Sequence, residues 1–505
     1  MGAFIGIDLG TTNSLVAYID DTGRPMIIAN NEGQNMTPSC VTKDGDKIIV
    51  GEFARKAWGI DEETAAAQFK GDMGTSQTHS FDGQEFTPTE LSTFVLKKLM
   101  DTATDQVGDI SGAVVTIPAN FGHEAREATM AAAKAAGLNI EHIINEPTAA
   151  ALYYAFKNGE ELSGTYAVYD LGGGTFDVTI MRINGQDIDI LASEGVKTLG
   201  GSNFDKKLHD IVKGKHADAT GEEMDDKDFK EDFSLIDAEE EKKSLSSRSK
   251  TLARVGRQHI DITREEFESA IKELVEQATM TCETVIAEAG VELSDIQGVF
   301  LAGGSTRIPL VQESVKQVFQ QEPIVQVNVD EVVALGAALY AAYKGDRTEL
   351  SPVQQQAIEK IEVLESTAMC FGTVYIGEDE THGDLSLKNS VIIKKGTKIP
   401  ASVTELFYTI AYNQREVNCR VTESKNAETD PGLVKIIWEG KLELPPRRLR
   451  NKKIQVTYSF DDNQIMHCSF LDVASGNETT IDLSPMASAG TADVDIDEIA
   501  KFLVD

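Results

Sequence analysis

Three glycine-rich segments hold the residues of this chain best suited to chemistry: Asp8-Leu9-Gly10-Thr11-Thr12-Asn13, Asp170-Leu171-Gly172-Gly173-Gly174-Thr175, and Gly303-Gly304-Ser305-Thr306-Arg307-Ile308-Pro309. Each sets glycines beside hydroxyls, and the first two open on an aspartate. Without a Cβ, glycine reaches positive φ and lets a phosphate come close to main-chain N–H groups. A carboxylate beside each turn suits Mg²⁺, which keeps most of its waters and needs few protein ligands. One such turn alone reads as a plain β-hairpin. Two Asp-Leu-Gly turns in separate halves, with a third glycine pair, predict a nucleotide clamped between two lobes.

The turns need elements to hold them. Apolar runs precede all three, at Phe4-Ile5-Gly6-Ile7, Tyr166-Ala167-Val168-Tyr169 and Gly298-Val299-Phe300-Leu301-Ala302, so each turn is predicted at the end of a strand. Up to about residue 355, short β runs alternate with amphipathic helical segments at 88–103, 124–136 and 264–288, an α/β pattern. The acidic segment 220–232 reads as a solvated face of a small subdomain over the cleft. From Ile361 onward the pattern changes to strand-like runs at 390–393, 406–410, 434–438 and 454–460, separated by Gly-, Pro- and Asn-rich turns. That is the signature of an all-β sandwich. After a Pro/Ala/Gly stretch at 484–491, Val494, Ile496, Ile499, Phe502 and Leu503 predict one small amphipathic helix. No internal repeat is evident.

Composition narrows the function classes. With 41% hydrophobic and 26% charged residues, the 505-residue chain can build two or three cored domains. A formal net charge of −35 disfavours binding to nucleic acid or anionic membranes. No apolar stretch approaches the roughly 20 residues that span a bilayer, and the start lacks a basic leader, so a cytoplasmic location is expected. The five cysteines show no Cys-x-x-Cys spacing and the eight histidines no metal-ligand motif; the cysteines read as reduced packing residues.

Further segments accompany the glycine turns: Val115-Thr116-Ile117-Pro118-Ala119-Asn120-Phe121, Ile144-Asn145-Glu146-Pro147-Thr148-Ala149-Ala150-Ala151, Asp177, Leu199-Gly200-Gly201 with Phe204-Asp205, and Asp330-Glu331-Val332-Val333-Ala334. Together they closely resemble the seventy-kilodalton heat-shock-type (DnaK-like) chaperones, whose ATPase domain belongs to the actin and sugar-kinase superfamily. The resemblance continues, more weakly, to about residue 483. It implies an α/β, actin-like, two-lobed ATPase domain at 1–358, an interdomain linker at 359–367, an all-β sandwich peptide-binding domain at 368–484, and a short tail at 485–505 without the family's full helical lid. The activity implied is ATP hydrolysis to ADP and phosphate, with Mg²⁺ and, as a further candidate ion, K⁺.

The resemblance also implies residue roles. Thr11, Thr12 and Asn13 would bind the β- and γ-phosphates, with Gly10, Gly172, Gly173, Gly174, Gly200 and Gly201 in the supporting turns, and Asp8 and Asp170 holding Mg²⁺ through water. Lys70, Glu146 and Thr175 would surround the γ-phosphate and the attacking water, with Asp177 nearby. By pattern alone, Lys70 is a surface lysine and Glu146 a helix-capping acid. Glu239, Lys242 and Ser246 fall on one helix face, by spacing an ordinary charged face; the family match makes them adenosine contacts. Gly303, Gly304, Ser305, Arg307, Ile308 and Asp330 would complete that slot.

In the β region, Ile376 and Ile410 fall at the family's arch over bound peptide, Val417 at its central pocket, and Phe407 within the matching skeleton. Ile376, Ile410 and Val417 are also readable as plain sandwich core. Pro118 and Arg126 match the family's switch and relay, while Glu362, beside Val363 and Leu364, interrupts a normally apolar linker and would be costly to bury. His142 replaces an arginine that engages J-domain partners. The reading is an ATP-dependent chaperone for extended hydrophobic peptides, working with a J-domain co-chaperone and a nucleotide exchange factor. The alternative is an ATP-binding regulatory or scaffold relative with one dedicated partner.

Overall fold

Ala3–Asp8 buries Phe4 through Ile7 on both faces, as a strand inside a covered sheet must. It runs parallel to Ile110–Ile117, which is parallel to Ile140–Asn145, and turns back antiparallel through Asn13–Ile19 to Pro25–Ile28. A second sheet repeats this plan: Ser163–Leu171 lies parallel to Ile296–Ala302 and meanders antiparallel through Phe176–Asn184 to Asp187–Val196. The computed structural model describes residues 2–45, 47–158, 162–185, 187–221, 224–325, 327–378, 385–446, 449–461, 464–483 and 503–505.

These sheets belong to a first compact unit that comprises residues 2–120 and 128–363 and includes 503–505. Helix Val332–Lys344 lies almost wholly buried against helix Glu146–Asn158 and the first sheet. Contact is so close that a Cβ on Gly336 would sit 1.7 Å from the carbonyl oxygen of Ala149. The predicted helices appear as Pro88–Val107, His123–Ala135 and Arg264–Ala289. Thr87 and Thr263 start the first and last with capping boxes, and Gly290, at φ 63°, ends the last. A smaller sheet runs in the order Leu503–Val504, Lys47–Val50, Cys40–Asp44, Ala65–Ala67 and carries helix Glu52–Ile60.

The second unit contains residues 121–127 and 364–483. One antiparallel sheet runs Leu385–Ile393, Cys370–Glu378, Glu416–Ser424, Lys435–Glu443; the other runs Ala401–Tyr408, Lys453–Phe460, Met466–Asp472, Glu478–Leu483. Both contribute to one core, with Ile393, Val421, Leu442, Val456, Tyr458 and Phe470 inside. The buried Tyr458 hydroxyl donates to Gly372 O at 2.9 Å, so its polar atom is satisfied. Residues 121–127 join this unit through the His123 amide, which donates to Glu423 at 2.9 Å, and the Arg126 guanidinium, which donates to Gln464 at 2.8 Å. All five cysteines are buried, and among the described residues no helix is long and apolar enough to cross a membrane.

Three expectations need correction. Glu362 is exposed: Glu362–Leu364 forms an edge strand beside Asp187–Val196, and its period-two alternation points Val363 toward the core while Glu362 stays in water. The acidic segment 220–232 is more than a solvated face, because Asp225 caps helix Asp226–Asp232 and Phe229 within it is fully buried. Leu503 lies in a strand instead of a helix. Val494, Ile496, Ile499 and Phe502, like the 484–491 stretch, lie outside the described residues.

Candidate functional site

The first glycine turn closes the hairpin between Ala3–Asp8 and Asn13–Ile19. The Gly10 amide donates to Ser14 Oγ at 3.1 Å, and Ser39 Oγ donates to Gly10 O at 2.8 Å. A Cβ on Gly10 would lie 2.0 Å from Asn13 O, so the turn admits no larger residue. The second turn closes the hairpin between Ser163–Leu171 and Phe176–Asn184, with the Gly172 amide donating to Thr175 O at 3.1 Å. Leu199-Gly200-Gly201 backs it: the Gly201 amide donates to Gly172 O at 3.0 Å and the Ser202 amide to Gly173 O at 2.7 Å. The third segment closes in from the end of Ile296–Ala302. Ser305 Oγ donates to Gly172 O at 2.8 Å, and Gly303, at φ 79°, passes so close to Leu171 O that a Cβ would lie 2.3 Å away.

The first two turns face each other. A Cβ on Gly173 would meet Thr12 Oγ1 at 2.3 Å, and one on Gly174 would meet Thr11 Cγ2 at 2.4 Å. Beside the two turns opens a cleft of about 480 Å³. Asp8, Gly10, Thr11, Thr12, Asn13, Lys70, Glu146, Asp170, Gly172, Gly173, Thr175 and Gly201 line one part of it. Glu239, Lys242, Ser246, Gly303, Gly304, Ser305, Arg307, Ile308 and Asp330 line the rest. Gly174, Gly200 and Asp177 do not line it.

At the end of the cleft next to the first two turns, carboxylates outnumber cations. Lys70 and Glu146 form an ion pair with side chains only 4% and 9% exposed. Burial, then the neighbouring Glu146, pushes the Asp8 carboxyl up to about 7, although Lys70 and the Thr116 hydroxyl, 3.1 Å away, favour its charge. Asp170 and Asp177 are raised well above the usual carboxylate range by burial first and Glu146 second. One Asp177 oxygen has no hydrogen-bond partner within the described residues. Four acidic side chains thus crowd one lysine, and a bound divalent cation would relieve them. The described residues contain no cluster of three His, Cys, Asp or Glu that would ligate a metal directly. Asp8 and Asp170 fit an ion held through its own waters, as Mg²⁺ prefers.

On the far side, helix Leu235–Ser247 presents Lys242, which pairs with Asp205 at 2.7 Å and donates to Gly201 O at 3.2 Å. One turn earlier, Glu239 meets Arg55 of helix Glu52–Ile60 at 2.5 Å. Burial opposes ionisation of Glu239, but Lys243, Arg55 and Lys242 outweigh it and hold the carboxyl down to about 2. Arg307 bonds Asp330 and Asn328, both at 2.7 Å, leaving its guanidinium half-exposed along the slot.

The model of the Hsp70 protein family matches residues 4–81 and 75–502. The chain belongs to the Hsp70 family. Proteins of that family are chaperone-type ATPases that bind nucleotide with Mg²⁺.

Sequence reasoning missed several residues of this Hsp70 cleft. Arg55 and Trp58 line it from helix Glu52–Ile60, and Ser39 buttresses the first turn. No spacing marks Arg55. A signal lay in Gly59, whose Cβ would strike Ile236 Cδ1 at 2.4 Å, because a glycine inside a helix often marks a close approach.

The second unit holds the other predicted site. Ile376 and Ile410 are 43% and 48% exposed, and Leu387, directly opposite Ile376, is also exposed. Phe407 and Val417 are half-buried and pack against the core, while Leu406 and Tyr408 beside Phe407 point outward. The loop after Tyr408 is organised by Gln414, whose side chain accepts from the Ile410 amide at 3.2 Å and donates to Glu416 O at 3.0 Å. Pro118 is buried, and Arg126 is lowered by burial despite Glu365 and Glu423.

Proposed function

We propose that this Hsp70 protein hydrolyses ATP in the cleft and uses the nucleotide state to bind and release extended apolar peptide segments at the exposed face of the two-sheet unit. The observation that supports it best is the facing pair of glycine turns over the buried Lys70–Glu146 pair.

Phosphoryl transfer to water depends chiefly on positioning and charge neutralisation. Thr11, Thr12, Asn13 and the main chain of residues 172–174 orient the phosphates with N–H and hydroxyl donors. Asp8 and Asp170 would hold Mg²⁺ through its waters, and the ion would supply charge neutralisation there. Glu146 fixes Lys70, and Lys70 directs its cation at the γ-phosphate region. Thr175, which lines the cleft, positions the attacking water from the opposite turn, with buried Asp177 nearby. Glu239, Lys242, Ser246, Ser305, Arg307 and Ile308 enclose the nucleoside and keep water from it.

Ile376, Ile410 and their exposed apolar neighbours cover a peptide's side chains, and half-buried Val417 and Phe407 offer further apolar contact. A docked extended segment adds main-chain hydrogen bonds to this apolar contact. Pro118, Arg126 and the strand Glu362–Leu364 carry the nucleotide state to the peptide site. A J-domain co-chaperone and a nucleotide exchange factor drive the cycle.

The experiment is ATP turnover by the full chain with and without a J-domain protein and an apolar heptapeptide. Slow basal hydrolysis accelerated by both supports the reading. ATP binding with no response to any apolar peptide favours a scaffold with one dedicated partner.

A further inference from the structure

The strand Lys47–Val50 would be the outer edge of the small sheet if the chain's own residues 503–505 did not cover it. Leu503 pairs with Lys47 and Val504 with Ile48 in parallel register. The Asp505 amide donates to Ile48 O at 2.8 Å, and the Val50 amide donates to Asp505 O at 3.0 Å. An ion pair between Lys47 and Asp505 at 3.7 Å joins side chains 55% and 72% exposed, and adds little beside the ladder.

What this strand supports is one wall of the cleft. Val50 leads through a single residue, Gly51 at φ 112°, into helix Glu52–Ile60. The Arg55 amide bonds back to Gly51 O at 3.0 Å. From that helix, Arg55 crosses to Glu239 at 2.5 Å, and Gly59 packs against Ile236. An edge strand of four residues opens locally more readily than one paired on both sides. Movement of Lys47–Val50 therefore passes directly to the helix that faces the nucleoside side of the cleft.

We propose that residues 503–505 act as a strap that completes this sheet, steadies helix Glu52–Ile60 and slows nucleotide release. This rests on the nucleotide reading of the cleft. It adds a control element far along the chain from every glycine turn.

The test uses Asp505→Pro, which removes the amide that bonds Ile48, with Asp505→Asn as a partner that keeps it. Hydrogen exchange at the Val50 amide reads the strap, and stopped-flow release of a fluorescent ADP analogue reads its effect. In Asp505→Pro, Val50 exchange should rise about 3- to 10-fold, the consequence of losing one backbone hydrogen bond. Analogue release should accelerate by a similar factor, and Asp505→Asn should match the parent in both. Equal Val50 exchange in parent and Asp505→Pro would overturn the strap. Faster exchange with unchanged release would overturn its role, as would an Asp505→Asn protein that behaves like Asp505→Pro. If the parent binds no analogue while Val50 still responds, the nucleotide reading fails and the proposed control of release fails with it.

Discussion

In the cleft of the first unit, charged side chains are buried and backbone presses on backbone; in the two-sheet unit the unusual residues are apolar and exposed. Lys70, Glu146, Asp170 and Asp177 are all below a tenth exposed, whereas Ile376, Leu387, Leu406 and Ile410 are 43–53% exposed. Burying charge costs free energy unless partners or a bound ion answer it, and leaving large apolar groups in water forgoes burial. Each region thus departs from ordinary protein interiors and surfaces in a direction its proposed ligand answers: in the cleft, the cation that accompanies a nucleotide offsets the surplus carboxylates, and on the other unit an apolar peptide covers exposed side chains. The glycine turns beside the cleft leave no room for a Cβ at Gly10, Gly173, Gly174, Gly200 or Gly303. The exposed face tolerates added atoms, since little packs on it.

That contrast predicts the largest effect for a single methyl group in the cleft. A Cβ on Gly200 would lie 2.5 Å from Gly174 N and 2.6 Å from Gly173 C, both backbone atoms of the second turn. Gly200→Ala should displace that turn and weaken ATP binding by about 100-fold or more, at roughly 1.4 kcal/mol per tenfold, as read by calorimetric titration. Near-parental affinity would mean the turn does not hold phosphate.

On the exposed face, a polar change should spare the fold and remove binding. Ile376→Asp with Ile410→Asp should shift the urea midpoint little, since exposed substitutions cost within about 0.5 kcal/mol each. Peptide affinity by fluorescence anisotropy should fall about 10- to 100-fold, the worth of burying an isoleucine. Unfolding, or undiminished peptide binding, would make these residues core or bystanders.

Arg55→Ala removes the bridge to Glu239 between the two cleft helices, and nucleotide release should quicken about 3- to 10-fold, as for a charged hydrogen bond partly exposed to water. The smallest effect concerns pH. Against the opposing effect of burial, Lys243, Arg55 and Lys242 hold the Glu239 carboxyl down to about 2, below its ordinary value of 4.5, so its contribution to stability is full above about pH 4.5 and is lost as pH falls toward 2. Parent and Glu239→Gln should therefore differ in urea midpoint at pH 6 and converge in acid. A difference constant over that range would remove the ion pairs as its cause.

Much of the cleft was legible because its chemistry constrains the backbone. Asp-Leu-Gly after an apolar run announces strand and turn at both hairpins, and amphipathic periodicity places the long helices within a few residues of where they lie. The duplicated sheet plan was hidden, since two β meanders share topology without sharing sequence. Arg55 was invisible because its partner Glu239 is 184 residues away. Glu362 misled for a physical reason: a linear apolar stretch does not say which face each residue takes, and alternation in an edge strand leaves that carboxylate in water. Leu503 reads as helical by spacing, yet the edge of Lys47–Val50 draws it into a strand.

Single-turnover ATP hydrolysis by Lys70→Ala, measured beside its equilibrium ATP affinity, tests the central claim most directly. Affinity should stay near the parental value because the turns and the nucleoside slot are untouched, while the rate of the chemical step should fall about 100-fold or more, as when one preorganised charge donor is lost. Parental turnover in Lys70→Ala, or no ATP binding by the parent protein, would contradict the account.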